Sequence, residues 1–386
     1  MERFERAMEL MESFAERTGV SGGIGGPRYL WTDAFAVCNF LGAARVTHDD
    51  KYLELALGLV DRVHHTLGQH RPDDEKRGWL GRKGGEASEE HPTVGGLRIG
   101  KPLPERTPSE PRDERIEWDR DGQYFHYLTK WMHALHRAAK ATGRSELDDW
   151  ARTLALTAHE AFVYAPDWGG PKRMFWKMSV DLDRPLVASM GHHDPLDGYL
   201  TCLELDVTAP VAKLIGPAED FSSMIDIEGL ATDDPLGLGG LLVDAYRVLQ
   251  LSRATVFPDA PKLFAALLDA SRVGLALYLE RSDLRLPAHR RLAFREIGLA
   301  IGLEAIARML EDARRDSDRF LGGPRERRLL EELGAHVPLG AEIEAFWLRP
   351  ENRRTAVFRD HADINEVMLA TSLSPDGFLV LDPPAS

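Results

Sequence analysis

The chain has 386 residues, 43% of them hydrophobic, a formal net charge of −14 and two cysteines. Its acidity argues against nucleic acid and anionic membrane surfaces as default partners, since both reward basic faces. Two cysteines, Cys38 and Cys202, cannot build a disulfide framework or a zinc-finger cluster, and both lie in apolar helix-like runs that read as buried thiols.

Taken in chain order, the elements are almost all helical. The first segment, 2–16, opens "MERFERAMELMESFAERTG", which is charged throughout and has no apolar leader core. No run approaches the ~20 apolar residues needed to span a bilayer, so a cytoplasmic location is expected. Helical spacing continues over 28–46, 49–67, 123–141, 145–163, 196–206, 237–253, 259–280, 289–312, 324–333 and 363–373. In 49–67, for example, Tyr52, Ala56, Val60, Val63 and Leu67 share one stripe. "RMFWKMSV" (173–180) is strand-like. The glycine-rich stretches "GGIGGP" (22–27) and "GLGG" (237–240) follow no strand of a βαβ unit and have no Lys-Ser/Thr after them. They read as loop turns, not phosphate cradles.

A phrase repeats. "AARVTHDDKYLELALGLV" (43–60) aligns without gaps with "AAKATGRSELDDWARTLA" (138–155), and a fainter copy runs through "RATVFPDAPKLFAALLDA" (253–270). Each copy ends one helix, turns within a few residues and begins another, which predicts αα-hairpins. Short turns near 47–49, 142–145 and 254–258 alternate with long connections at 17–27, 68–122, 164–193, 215–236, 281–289 and 349–362. Loops longer than about 15 residues are uncommon unless functional or disordered. The helices that follow the long connections are the more uniformly apolar ones. "REIGLAIGLEAIARML", with Ile297, Leu299, Ile301, Leu303, Ile306 and Leu310, reads as buried on both sides.

Buried helices with long approach loops, each partnered by a more exposed helix, describe an all-α fold, an (α/α)6 toroid of six helical hairpins with short β pieces in its long loops. The expectation is a single domain over 1–386, with 68–122 as a loop insertion at the mouth of the ring. On these hairpin phrases, "AAKATGRSELDDWA" above all, the chain resembles the six-hairpin toroid superfamily that includes many glycoside hydrolases and the N-acylglucosamine 2-epimerase group. That resemblance implies a sugar site at the long-loop end.

The candidate residues are the polar groups at the ends of the long loops and the first turns of the helices they feed. They are Arg28, Tyr29, Trp31 and Asp33; Trp118, Asp119, Asp121, Gln123, Tyr124, His126 and Tyr127; His192, His193, Asp194 and Asp197; Glu228, Asp233 and Asp234; Arg290, Arg291, Arg295 and Glu296; and His361, Asp363, Asn365 and Glu366. Carboxylates and arginines suit sugar hydroxyls, and aromatic rings suit their C–H faces. Glycoside hydrolysis needs one protonated and one ionised carboxyl group flanking the bond. Asp119 or Asp121 is the first choice, with Asp33, Asp194, Asp197 or Glu296 as partner. Trp31, Trp118, Gln123, Tyr124, Tyr127, Arg295, Glu296 and His361 are the substrate-binding candidates. Gln123, Tyr127 and Lys130 share a face if Gly122 opens a helix.

Each candidate has a plainer reading beside it. Asp121 can be a helix cap and Asp119 a solvated loop acid. Trp31 and Trp118 can be core. Asp194 fits an N-cap, with Pro195 at the first helical position and Asp197 at the third, near the positive end of the dipole. His192 and His193 either transfer protons in an isomerase or epimerase, with His361 or His126 across the ring, or only hydrogen-bond the loop. Adjacent histidines point apart in most backbones, so no metal is expected. The sequence calls for no cofactor. A glycoside hydrolase is the leading expectation, with a sugar isomerase or epimerase as the alternative and a non-catalytic sugar- or protein-binding toroid as the third. The expected partner is a small-molecule carbohydrate, and an acidic ring with a free outer face leaves room for a homo-oligomer.

Overall fold

The repeated phrase makes the same turn twice. In a computed structural model of the chain, residues 2–22, 26–81, 87–167, 169–208, 212–282, 284–316 and 320–381 are described. Residues 23–25 of "GGIGGP" and 82–86 of the long 68–122 connection lie outside them. At the first hairpin, Thr47 Oγ1 donates to the Ala43 carbonyl (2.8 Å) and accepts from the Asp49 N–H (3.3 Å). At the second, Thr142 Oγ1 donates to Ala138 (2.7 Å) and accepts from Arg144 (3.3 Å). The intervening residue is left-handed in both, His48 at φ 55° and Gly143 at φ 71°. Each closes the preceding helix by donating its N–H to Ala44 or Ala139. The third copy uses a different turn, with Thr255 extended at φ −143°.

The described chain divides into two compact units, residues 15–225 and residues 1–14 with 226–386. The first helix is α1 (Glu2–Arg17). The 15–225 unit holds α2 (Leu30–Thr47), α3 (Asp50–Leu67), the one-turn α4 (Glu114–Glu117), α5 (Phe125–Thr142), α6 (Ser145–Phe162), α7 (Asp194–Thr208) and α8 (Ala212–Ser223). These form three hairpins, α2–α3, α5–α6 and α7–α8, in which α5 packs against both α2 and α7. All residues of α2 from Leu30 to Ala43 are buried, as the all-round apolar pattern requires.

Short strands join the loops of this unit. β1 (Gln123–Tyr124), β4 (Lys177–Met178) and β5 (Pro185–Val187) form an antiparallel sheet in the order β1-β4-β5, and β2 (Val163–Tyr164) pairs with β3 (Arg173–Met174). "RMFWKMSV" is therefore two strands with a break at Phe175 and Trp176.

The other unit holds α9 (Pro235–Ala254), α10 (Ala260–Arg281), α11 (Ala293–Arg315), α12 (Pro324–Gly334), α13 (Val337–Leu348), the one-turn α14 (Pro350–Arg353) and α15 (Ala356–Arg359), α16 (Ala362–Leu373) and α17 (Asp376–Leu379). Here α11 packs against α9, α13, α16 and α12, and α9 packs against α10. Residues 1–14 belong to the same unit: Arg3 bonds Glu304 (2.6 Å), Glu344 (2.9 Å) and the Ser372 carbonyl (3.0 Å). The α9 and α11 backbones touch through glycines. A Cβ on Gly239 would sit 2.0 Å from the Gly298 carbonyl oxygen, and one on Gly302 would sit 2.7 Å from the Gly239 Cα.

Three expectations need correction. The connection 215–236 is partly helix, since α8 runs to Ser223 with Pro217 inside it; Gly216-Pro217 reads as a turn in sequence and is accommodated within the helix. The helix α13 falls where no helix is expected. Gly122 does not open a helix, because Gln123 and Tyr124 pair with Met178 and Lys177 before α5 begins at Phe125.

Candidate active site

Within the 15–225 unit, the starts of α2, α5 and α7 carry a connected group of side chains. Tyr29 and Tyr127 bond through their hydroxyls, with rings edge to face at 5.4 Å. Trp31 lies 5.4 Å from Tyr127 and 6.0 Å from His126. His126 stacks on Tyr124 (5.4 Å, 29°) and lies nearly parallel to Trp176 (6.3 Å, 17°). Strand pairing puts Trp176 there: Lys177 is in register with Tyr124, so the preceding Trp176 reaches the same ring. Lys101 lies over the Tyr29 ring, 5.2 Å from its centroid.

Asp194 and Asp197 occupy the first turn of α7. Asp194 is helical and not the N-cap, because the His193 carbonyl already accepts the Asp197 N–H (3.0 Å). The expected assignment is shifted by one residue, a common uncertainty at helix ends. Freed from capping, the Asp194 carboxyl lies over Gly191, where an added Cβ would fall 2.2 Å from Oδ2.

The two acids have opposite surroundings. Asp197 accepts from Thr129 Oγ1 (2.6 Å) and Lys130 Nζ (2.8 Å). Asp194 is 5% exposed, and its Oδ2 is buried with no hydrogen-bond partner. Burial pushes the Asp194 carboxyl up to about 8, the Asp197 charge pushes the same way, and Lys130 opposes them. Near neutral pH it holds its proton. The closest side chain of opposite character is His126, whose Nδ1 lies 3.7 Å from Asp194 Oδ1 and has no hydrogen-bond partner of its own. Burial pushes this imidazole down to about 4, so it is neutral. Trp31 Nε1 is also buried and unsatisfied. Buried polar atoms are mostly hydrogen-bonded, so three without a protein partner among neighbouring residues mark a place where a polar ligand or water would be held. A neutral carboxylic acid, a neutral imidazole and an indole N–H can donate or shuttle protons at sugar oxygens.

The other candidates in this unit have structural work. Asp121 is fully buried and accepts from Arg98 Nη1 (2.6 Å) and the N–H groups of Gly100 (3.0 Å) and Lys101 (3.4 Å), with Arg71 at 3.7 Å. Arg98 also bonds the Thr66 and Gln69 carbonyls, so this acid anchors the long loop to the end of α3. Gln123 is buried among backbone groups, accepting from Leu97 N–H and donating to Gly95 and Val180. Asp33 pairs with Arg28 (3.5 Å) and accepts from the Tyr29 N–H (3.3 Å). Asp119 is exposed. His192 is exposed and His193 half-buried, with ring centroids 4.5 Å apart.

In the other unit, Glu296 receives two bonds from Arg291 (2.8 and 2.6 Å) and one from Trp347 Nε1 (2.8 Å). Arg295 pairs with Asp234, and His361 meets Phe294 edge-on at 6.0 Å. Glu296 is thus held by a bidentate arginine, a fixed arrangement. Among the described residues, no group of three or more His, Cys, Asp or Glu side chains is placed to hold a metal ion, and no helix is long and apolar enough to cross a membrane.

Sequence reasoning misses Trp176 and Lys101. Their signal is the β1–β4 register, which can be read only once the loops are placed. Thr129 is missed because it looks like an ordinary helix residue until α7 packs beside α5.

No family model matches the chain, and no curated protein sequence matches it. Solved structures do. A GH76 alpha-mannanase from Bacteroides thetaiotaomicron matches with a TM-score of 0.54 at 10% identity, over 97% of this chain and 96% of that one. A D-mannose isomerase matches with a TM-score of 0.54 at 10% identity, over 96% of this chain and 97% of that one. At this identity the likeness establishes the fold. The chain has the (α/α)6 toroid fold of these structures.

Proposed function

We propose that this chain is a carbohydrate-active enzyme, a glycoside hydrolase in which Asp194 is the general acid. The observation that carries the reading is the pair Asp194 and Asp197. One acid is buried with an unpartnered oxygen and keeps its proton near neutral pH, while the other, three residues on, is paired with Lys130. A buried carboxyl that keeps its proton beside one held in an ion pair is the pattern of an acid/base assignment. Asp194 would protonate the departing glycosidic oxygen. Tyr29, Trp31, Tyr124, Tyr127 and Trp176 offer ring faces and hydroxyls for the sugar. The two structures compared above are named for a mannanase and a mannose isomerase, so α-mannosides are the first substrates to try. The reading treats residues 1–386 as one domain with 68–122 as an insertion at its mouth. It includes a cytoplasmic location.

The test compares leaving groups. Asp194→Asn should lower kcat/KM on glycosides with poor leaving groups by ~10²–10⁴, the usual worth of a general acid. Activated aryl glycosides, which leave without protonation, should lose far less. Equal losses on both would reject Asp194 as the acid.

The unpartnered His126 Nδ1, 3.7 Å from Asp194, favours a second reading in which the pair moves a proton beside a sugar carbonyl. In that case a free ketose or aldose turned over in deuterated water gains deuterium at the carbon next to the carbonyl, and glycosides are untouched.

A further inference from the structure

Trp118 leaves an indole 54% exposed, an unusual cost for a side chain of that size. It is not isolated. Its ring meets Trp176 edge to face at 5.1 Å and 76°, and Trp176 in turn lies against Tyr124 and His126. The rings make an unbroken series from the surface to the side chain that touches Asp194.

The backbone around Trp118 is held from below. Lys177 is fully buried, and its Nζ donates to the Glu117 carbonyl (2.9 Å) and the Arg120 carbonyl (2.9 Å), which flank Trp118 in the chain. The same ammonium pairs with Glu117 Oε1 at 3.2 Å. Lys177 also follows Trp176 directly, so one buried cation fixes the chain beside both tryptophans. From the other side, the Leu103 N–H bonds the Asp119 carbonyl (3.0 Å) and the Asp121 N–H bonds the Leu103 carbonyl (2.8 Å). Burying an ammonium is expensive unless its bonds are well made. Here those bonds fix the backbone segment that carries the exposed indole.

From this geometry we propose that the substrate is an oligosaccharide or longer glycan, and that Trp118 and Trp176 bind the sugar unit adjoining the one handled at Asp194. The inference rests on the reading of that site as carbohydrate-active. A sugar presents a C–H face that an indole covers without directional demands, and two rings near a right angle form a corner for one such unit.

The test is binding of the full chain, carrying Asp194→Asn to stop turnover, to a panel of the common hexoses and pentoses, each offered as mono-, di- and trisaccharide. The expected result is that one series binds about tenfold or more tightly as di- or trisaccharide than as monosaccharide. Adding Trp118→Ala should bring that ratio close to one, and Trp118→Phe should restore part of it. Thermal midpoints of the three proteins should agree, since Trp118 lies at the surface. A chain that binds monosaccharides and gains nothing from added units overturns this inference and leaves the Asp194 site standing. A length preference that survives Trp118→Ala overturns it equally. Binding to no sugar in the panel overturns both readings.

Discussion

Asp121 and Asp194 are both buried acids in the same unit, and they have opposite fates. Asp121 ends a long loop whose donors converge on it: Arg98 and two backbone N–H groups bond its oxygens, and Arg71 lies alongside at 3.7 Å. Asp194 begins a helix, folds over Gly191 and keeps one oxygen bare, with a neutral imidazole at 3.7 Å. Burial alone therefore does not mark a functional acid. What separates the two is hydrogen bonding: Asp121 is ringed by donors, whereas one Asp194 oxygen has none and burial keeps the proton in place.

The largest effect should break the comparison cleanly. Asp194→Asn should cost ~10²–10⁴ in turnover with little loss of structure, whereas Asp121→Asn should leave Arg98 buried without its counter-charge and cost about 3–5 kcal/mol of stability. Turnover of several glycosides and chemical denaturation of both variants would show it. If Asp121→Asn kills activity in a fully stable protein, the comparison is wrong.

Next comes pH. In the native state Asp194 holds a proton up to about 8 that the unfolded chain releases near 3.8, so stability declines as pH rises through that interval. His126 slopes the other way. Its native form stays neutral down to about 4 while the unfolded ring gains a proton near 6.5, so stability is lost as pH falls between them. Between about 4 and 6.5 the two slopes oppose each other, so Asp194→Asn should flatten the decline above about 6.5 and steepen the loss on acidification below it. Unfolding midpoints from pH 4 to 9 would register the change.

A smaller effect is expected from Glu296→Gln. It weakens charge-assisted bonds to Arg291 and Trp347 and should cost about 1.5–3 kcal/mol, seen in denaturant titrations. Smallest is Asp119→Asn, an exposed site, which should move stability by less than ~0.5 kcal/mol. If Asp119→Asn also abolishes hydrolysis, the acid lies in the loop before β1 and not at the start of α7.

The helices were legible because burial on one or two faces writes itself into apolar spacing. Leu30–Thr47 and Ser145–Phe162 fall within two residues of their expected ends. The Thr47 and Thr142 turns were legible because a five-residue phrase fixes them locally. What failed was nonlocal or masked by turn residues. Helix α8 hides behind Gly216-Pro217. The backbone partners of Gln123, at Gly95, Leu97 and Val180, lie far from it in sequence, so spacing alone does not show them. Asp119 and Asp121 are alike in sequence, and only folding sends one into a nest of arginines and the other to the surface. Trp31, Tyr124, His126 and Tyr127 were found at helix starts, but nothing in the sequence tells that Asp194 would be the acid left with its proton.

The glycine contact between α9 and α11 has a consequence for the sequence. Main chain rests on main chain at Gly239, Gly298 and Gly302, with the Leu236 and Leu242 side chains packed beside the contact. A methyl group added at any of the three would collide at once, so this seam tolerates no side chain and its closeness depends on glycine alone.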